Sequence, residues 1–232
     1  FLLVAVLLGF VMIPSCREKS QINNRVVVTA VGIDDAAEEG CALSIQAIEA
    51  LKIAGSLTNQ EDNATGLYQT QGETVSSAMK SFVTQTGRNT YLMQNRAIVL
   101  SMDQIQKQPL QTTLDYFLRN TESRPGVYLV TLLREGQRWG YSAGTTLLDA
   151  ERAFSGMFDA YLPIVRVEGE GDDASIQMDG TAVFREGSFV GELDAEETRG
   201  LLFIQNAIEK GAVILEREEG PPGTLELQKS RT

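Results

Sequence analysis

The chain opens on thirteen uninterrupted apolar residues, 1–13, and its texture then changes abruptly to a polar stretch at 17–24 (REKSQINN). A helix of thirteen residues is only about 20 Å long, short of the ~30 Å hydrocarbon layer that a spanning helix must cross. The run has instead the length of the apolar centre of a secretory signal. Behind the polar stretch begins the pattern of a folded body. Residues 25–33 (RVVVTAVGI) are apolar and β-branched, as in a well-buried strand. Residues 41–50 alternate Leu43, Ile45 and Ala47 against Ser44 and Gln46, which predicts an antiparallel return strand beyond an acidic turn at 34–40. The polar stretch 51–70 reads as a long loop. Gly72, Glu73 and Thr74 then open a helix with Val75, Met79, Phe82 and Val83 on one side and a stop at Gly87. Residues 96–101 and 126–133 predict a third and a fourth strand. Between them, Pro109 fits the first turn of a helix striped with Leu110, Leu114, Phe117 and Leu118. Thr146 and Asp149 have the spacing of a capping box, starting a helix with Leu147, Phe154, Phe158 and Tyr161 inward.

From Pro163 the chain turns to short strands between Gly/Asp turns over 166–191, including a hairpin at Glu186-Gly187. Asp194 and Glu197 cap a short helix holding Leu201, Leu202 and Ile204, and 212–215 and 224–227 are strand candidates. The expected fold class is α+β, mixed sheets packed with helices, in two domains plus the start of a third. Residues 25–162 form an N-terminal α/β domain, 163–207 a small β-rich second domain or subdomain, and 211–232 the beginning of a truncated C-terminal domain.

Composition narrows the chemistry. Apolar residues at 43% and charged residues at 22% suit a globular body. The net charge of −11 repels phosphate backbones, and the basic residues are scattered rather than gathered in a patch, so nucleic acid is not an expected partner. There is no histidine, which excludes Ser-His-Asp and Cys-His catalysis and His-ligated zinc. Carboxylates remain, as Asp34/Asp35, Glu168/Glu170/Asp172/Asp173 and Glu192/Asp194/Glu196/Glu197. All lie in turns or at helix starts, where acids serve solvation and capping. A glycosidase using Glu168 or Glu192 is the enzymatic rival, and it needs two carboxylates ~5–10 Å apart. Ser142 has no histidine or spaced lysine to activate it, and 136–140 lack a phosphate-loop arrangement. Trp139, between Arg138 and Tyr141, reads equally as a partner contact and as half-buried packing. No catalytic, cofactor-binding or metal-ligating residue is assigned.

Ile13-Pro14-Ser15-Cys16 resembles a bacterial lipobox, with an aliphatic residue at −3, a small one at −1 and cysteine at +1. The expectation is a lipoprotein signal peptide at 1–15 without its basic n-region, cut before Cys16, and a polar tether at 16–24. The thiol of Cys16 then carries diacylglycerol, and fatty acid (palmitate) is the only prosthetic group expected. Two acyl chains, at ~0.8 kcal/mol per buried CH₂, hold such a protein on a membrane surface. Cys41 is left without a partner, so no disulfide is expected.

Cys16 is followed by RVVVTAVGIDD, by GETVSSAMKSF, by NRAIVLS, by LDYFLRNTESRPGVYLVTL and by IQMDGTAVFREGSFVGELDAEETRGLLFI. Taken in that order over about 13–205, these stretches resemble the Ger(x)C family, the lipoprotein C-subunit of spore germinant receptors in endospore-forming bacteria. The resemblance implies a non-enzymatic protein on the outer face of the spore inner membrane, assembled with two membrane-embedded receptor subunits as a scaffold or coupling element. Its motif positions, Gly32, Asp34, Gly72, Gly180 and Gly191, are structural. The rival of another class is an extracytoplasmic solute-binding lipoprotein, which requires two similar α/β lobes around a cleft.

Overall fold

Hairpins and crossovers divide this chain cleanly. The computed structural model describes residues 25–36, 40–48, 65–133, 145–155, 159–169, 175–205, 210–215 and 223–228. Residues 1–24, on which the expected signal peptide, Cys16 and the expected tether fall, lie outside the described residues, as do Trp139, Ser142, Phe158, Glu170, Asp172 and Asp173. The strands are β1 (Arg25–Asp35), β2 (Cys41–Ile48), β3 (Thr65–Gly72), β4 (Asn89–Tyr91), β5 (Ala97–Ser101), β6 (Tyr128–Leu133), β7 (Tyr161–Glu168), β8 (Ser175–Arg185), β9 (Ser188–Leu193), β10 (Lys210–Leu215) and β11 (Gly223–Gln228). The helices are α1 (Val75–Thr86), α2 (Met102–Lys107), α3 (Leu110–Arg119), α4 (Leu147–Phe154) and α5 (Ala195–Ile204).

Among the described residues one sheet holds nine strands, in the order β3-β2-β1-β5-β6-β7-β8-β9 with β4 beside β1. Its centre is parallel, β1 to β5 to β6 to β7, because helices intervene between β5 and β6 and between β6 and β7 and return the chain to its starting end. Both flanks are antiparallel: β1, β2 and β3 on one side, β7, β8 and β9 on the other. The fold class is α+β, with a large mixed sheet.

One face of the sheet holds the core. Val28, Ile33, Leu43, Ile98, Leu129 and Leu162 point from the strands toward Met79 and Phe82 of α1, Leu114 and Phe117 of α3, and Leu147 of α4. On the opposite face α5 covers β8, where the buried hydroxyls of Thr198 and Thr181 meet at 3.1 Å.

Local signals place the helix starts. Thr74 accepts from the Ser77 N–H at the head of α1, Thr146 and Asp149 complete a capping box on α4, and Asp194 with Glu197 does the same on α5. The hairpin turns at Glu186 and Gly187, with φ of 52° and 80°. The strand candidates at 212–215 and 224–227 pair antiparallel as β10 and β11 in their own two-stranded sheet.

Three expectations are corrected, and one stretch the sequence left unassigned proves helical. Residues 65–70, taken as loop, belong to β3, which pairs with β2 along its whole length and seats Tyr68 edge-on against Phe82 at 5.3 Å. The acidic turn is shorter than expected, since Asp34 and Asp35 are still part of β1. The segment between β5 and Pro109 is helical: α2 starts directly from Ser101, whose hydroxyl accepts from Gln104 N–H at 3.1 Å. Helix α4 ends at Phe154, so Tyr161 stands on β7 instead. The change of texture at Pro163 falls inside β7, and the sheet continues through it.

Candidate functional site

The fold puts the acids of the sequence to local use. Asp35 forms an ion pair with Lys107 of α2, and Asp34 Oδ1 accepts from Asp35 N–H at 2.9 Å. Glu168 Oε2 accepts from Gln177 Nε2 at 2.6 Å across the β7–β8 pair. Asp194 Oδ1 accepts from the N–H groups of Glu196 and Glu197 at 2.8 and 2.9 Å, and the Glu197 carboxylate accepts from Asp194 N–H at 3.1 Å. Glu168 is opposite Ser175 and Glu192 opposite Ala182, so roughly 23 Å of β8 separates them, too far for a glycosidase pair between the two. Among the described residues no three groups converge as a metal site.

A second cluster has no counterpart in the sequence reading. Arg166 follows Leu162 and Ile164 at the strand period and is buried on the same face. A register shift in β8 opposite Ile164 and Val165 inserts Asp179, which accepts from Arg166 Nη2. Nε and Nη1 of Arg166 are buried without a partner, as is the hydroxyl of Thr131 on β6. Asp179 has a neighbour in Glu192, whose pKa is raised by partial burial and then by the Asp179 charge. Strand alternation could have flagged the inward arginine, but the bulge that supplies its partner leaves no local trace.

The described surface also contains a groove of about 430 Å³ between the first turn of α1 and the exposed side of α3. Thr74, Val75 and Ser76 form one wall, and Gln111, Thr112, Asp115, Tyr116 and Arg119 the other. Arg119 Nε donates to Asp115 Oδ1 at 2.6 Å, one turn away, and both side chains are open to solvent. Thr74 is occupied in capping α1. The lining offers hydroxyl, amide and charged groups for hydrogen bonding. Cys41 is a buried thiol whose pKa is pushed up by burial.

No helix among the described residues is long and apolar enough to cross a membrane. A family model described as "Spore germination protein N-terminal domain" matches residues 18–132, and one described as "Spore germination B3/ GerAC like, C-terminal" matches 179–232. The chain is 24% identical over 126 residues to "Spore germination protein KC" of Bacillus subtilis (strain 168), covering 53% of this chain and 31% of that protein. It thus spans about a third of that relative's length. Among solved structures it is similar to the "Crystal Structure of the GerBC protein", with a TM-score of 0.46 and 18% identity over 86% of this chain and 62% of that one.

Proposed function

Since the chain belongs to the Ger(x)C family of spore germination proteins, the C-subunit family of germinant receptors, we propose that it is a lipid-anchored, non-catalytic receptor subunit. In this reading Cys16 carries the lipid and holds the body on the extracytoplasmic face of the spore inner membrane. The body then acts as scaffold or coupling element for membrane-embedded partner subunits. The observation that carries the reading is the order of the two family matches, an N-terminal domain at 18–132 followed by a C-terminal one at 179–232. The −11 charge adds a physical reason for partners, because an acidic body is repelled by an anionic bilayer and stays beside it only when something else holds it. The solute-binding rival needs a second lobe of like topology, and the single sheet from β3 to β9 offers none among the described residues.

Two measurements test the proposal. Labelled fatty acid is expected to enter the wild-type protein and not Cys16→Ala, which should also leave the membrane fraction; equal labelling of both overturns the anchor. Purification from spore inner membrane is expected to bring membrane-embedded germination proteins with it. Recovery of the chain alone under mild detergent overturns the receptor assignment.

A further inference from the structure

In β8 the side-chain pattern and the pairing disagree. Ile176, Met178, Gly180, Ala182 and Phe184 alternate with Gln177, Asp179 and Thr181, and the two-residue strand period would put the first five on one face. Ala182 and Phe184 do lie in the core, and Thr181 meets Thr198 on the opposite face. On the amino-terminal side of Gly180 the alternation breaks. Gly180 is opposite Ile164, but Met178 rather than Asp179 is opposite Val165, and Ile176 is opposite Val167. The extra residue turns Ile176 and Met178 away from the core and leaves Ile176 73% exposed beside Val167 at 48%. A straight ladder would set Met178 opposite Arg166 and Ile176 opposite Glu168, both on the core face, with Gln177 and Asp179 outside.

What the bulge gains is polar. Arg166 is 5% exposed, and Asp179 is the one hydrogen-bond acceptor of its guanidinium among the described residues, Nε and Nη1 having none. In the straight ladder Asp179 faces outward opposite Val165, and Arg166 becomes a buried charge without its partner, which is strongly unfavourable. The bulge also lets Gln177 Nε2 reach Glu168 Oε2 at 2.6 Å. From Gly180 onward β8 is fixed in either register, by Ala182 and Phe184 in the core and by the Thr181–Thr198 hydrogen bond. We propose that residues 175–179 form a two-register segment that the Arg166–Asp179 pair holds in the bulged register. Removing the pair slides the segment by one residue, turns Ile176 and Met178 onto the core face and withdraws Ile176 from the outer surface. The device goes beyond the receptor reading and does not depend on it.

Disulfide trapping in the full chain reads the register, because residues directly opposite on one face lie about 4.5–5.5 Å apart, the span of a cross-strand disulfide. Val167→Cys with Ile176→Cys reports the bulged ladder, and Val167→Cys with Gln177→Cys the straight one. Peptide mapping identifies each bond, so that links to Cys16 or Cys41 are set apart. With Arg166 and Asp179 intact, the first pair is expected to close at least tenfold faster than the second. Arg166→Met, which suits an apolar face and needs no partner, should reverse that order, while Arg166→Lys, which keeps the charge, should not. If Arg166→Met loses the amide protection of β1 and β5, and with it the fold, Asp179→Asn takes its place. Faster closure of the second pair in the intact chain, an unchanged order in Arg166→Met, a reversal in Arg166→Lys as well, or loss of both cross-links in a folded variant would each overturn the proposal.

Discussion

A β-carbon added to Gly180 would stand 2.2 Å from the carbonyl oxygen of Leu193, and one added to Gly72 would stand 2.5 Å from the backbone nitrogen of Ala78. At these two positions backbone approaches backbone, and neither neighbour can swing aside. Gly191 has nothing within 4 Å of the same point, and Gly32 meets only ordinary contact with Ser44. The motif glycines of the family resemblance therefore fall into two that packing demands and two that it tolerates. Gly180→Ala is expected to destabilise the fold by about 2–3 kcal/mol, and Gly191→Ala by less than about 0.5, both read from urea unfolding. Glu192 makes a prediction in pH. Its raised pKa means that the folded chain keeps this proton to higher pH than the unfolded chain does. Its contribution is therefore favourable at low pH and is lost as pH rises from the ordinary carboxylate range through the raised value. Glu192→Gln should flatten that part of the stability curve just above the ordinary carboxylate range, measured as melting temperature against pH. An unchanged slope would remove Glu192 from the account.

Elements with short-range causes were readable from the sequence, and those with long-range causes were not. The starts of α1, α4 and α5 are announced by a Thr or Asp and a partner three residues on, and the structure shows each of these bonds. The β8–β9 turn is announced by Glu186-Gly187. Strand β3 gives no such notice, because its inward positions are Gly66, Tyr68, Thr70 and Gly72, none an aliphatic residue. It becomes a strand by lying against β2 and under α1, whose Phe82 is fully buried. Helix α2 is six residues long and starts where β5 stops, too short to show a period. The docking of α1 on β3 has a test. Phe82→Ala should cost about 3–5 kcal/mol and speed amide exchange in β3 more than in β7, since only β3 loses the ring it packs against. Equal acceleration in both strands would mean that α1 does not single out β3.

For the molecule as a whole the α+β class was legible, while the joining of residues on both sides of Pro163 into one sheet was not. Periodicity describes each strand, but the pairing of β6 with β7 connects residues about thirty positions apart and leaves no mark in either segment. The groove between α1 and α3 was hidden for the same reason, being built from residues 74–76 and 111–119. A chain ended after residue 162 is expected to lose cooperative urea unfolding, because the cut falls within β7 and removes β8 and β9. A sharp single transition in that fragment would show that 25–162 is self-sufficient. The parallel run of β1, β5, β6 and β7 has one more effect. Nine residues, 16–24, separate the start of β1 from the lipid proposed at Cys16, a leash of at most about 30 Å. Arg25 is fastened at that end to Glu122 at 2.6 Å. If Cys16 carries the lipid, the leash joins the body at the end of the sheet that holds the amino ends of the four parallel strands, while Asp35, Lys107, Arg166 and Thr74 of the groove stand at the opposite end, the one left open to a visitor from the other side.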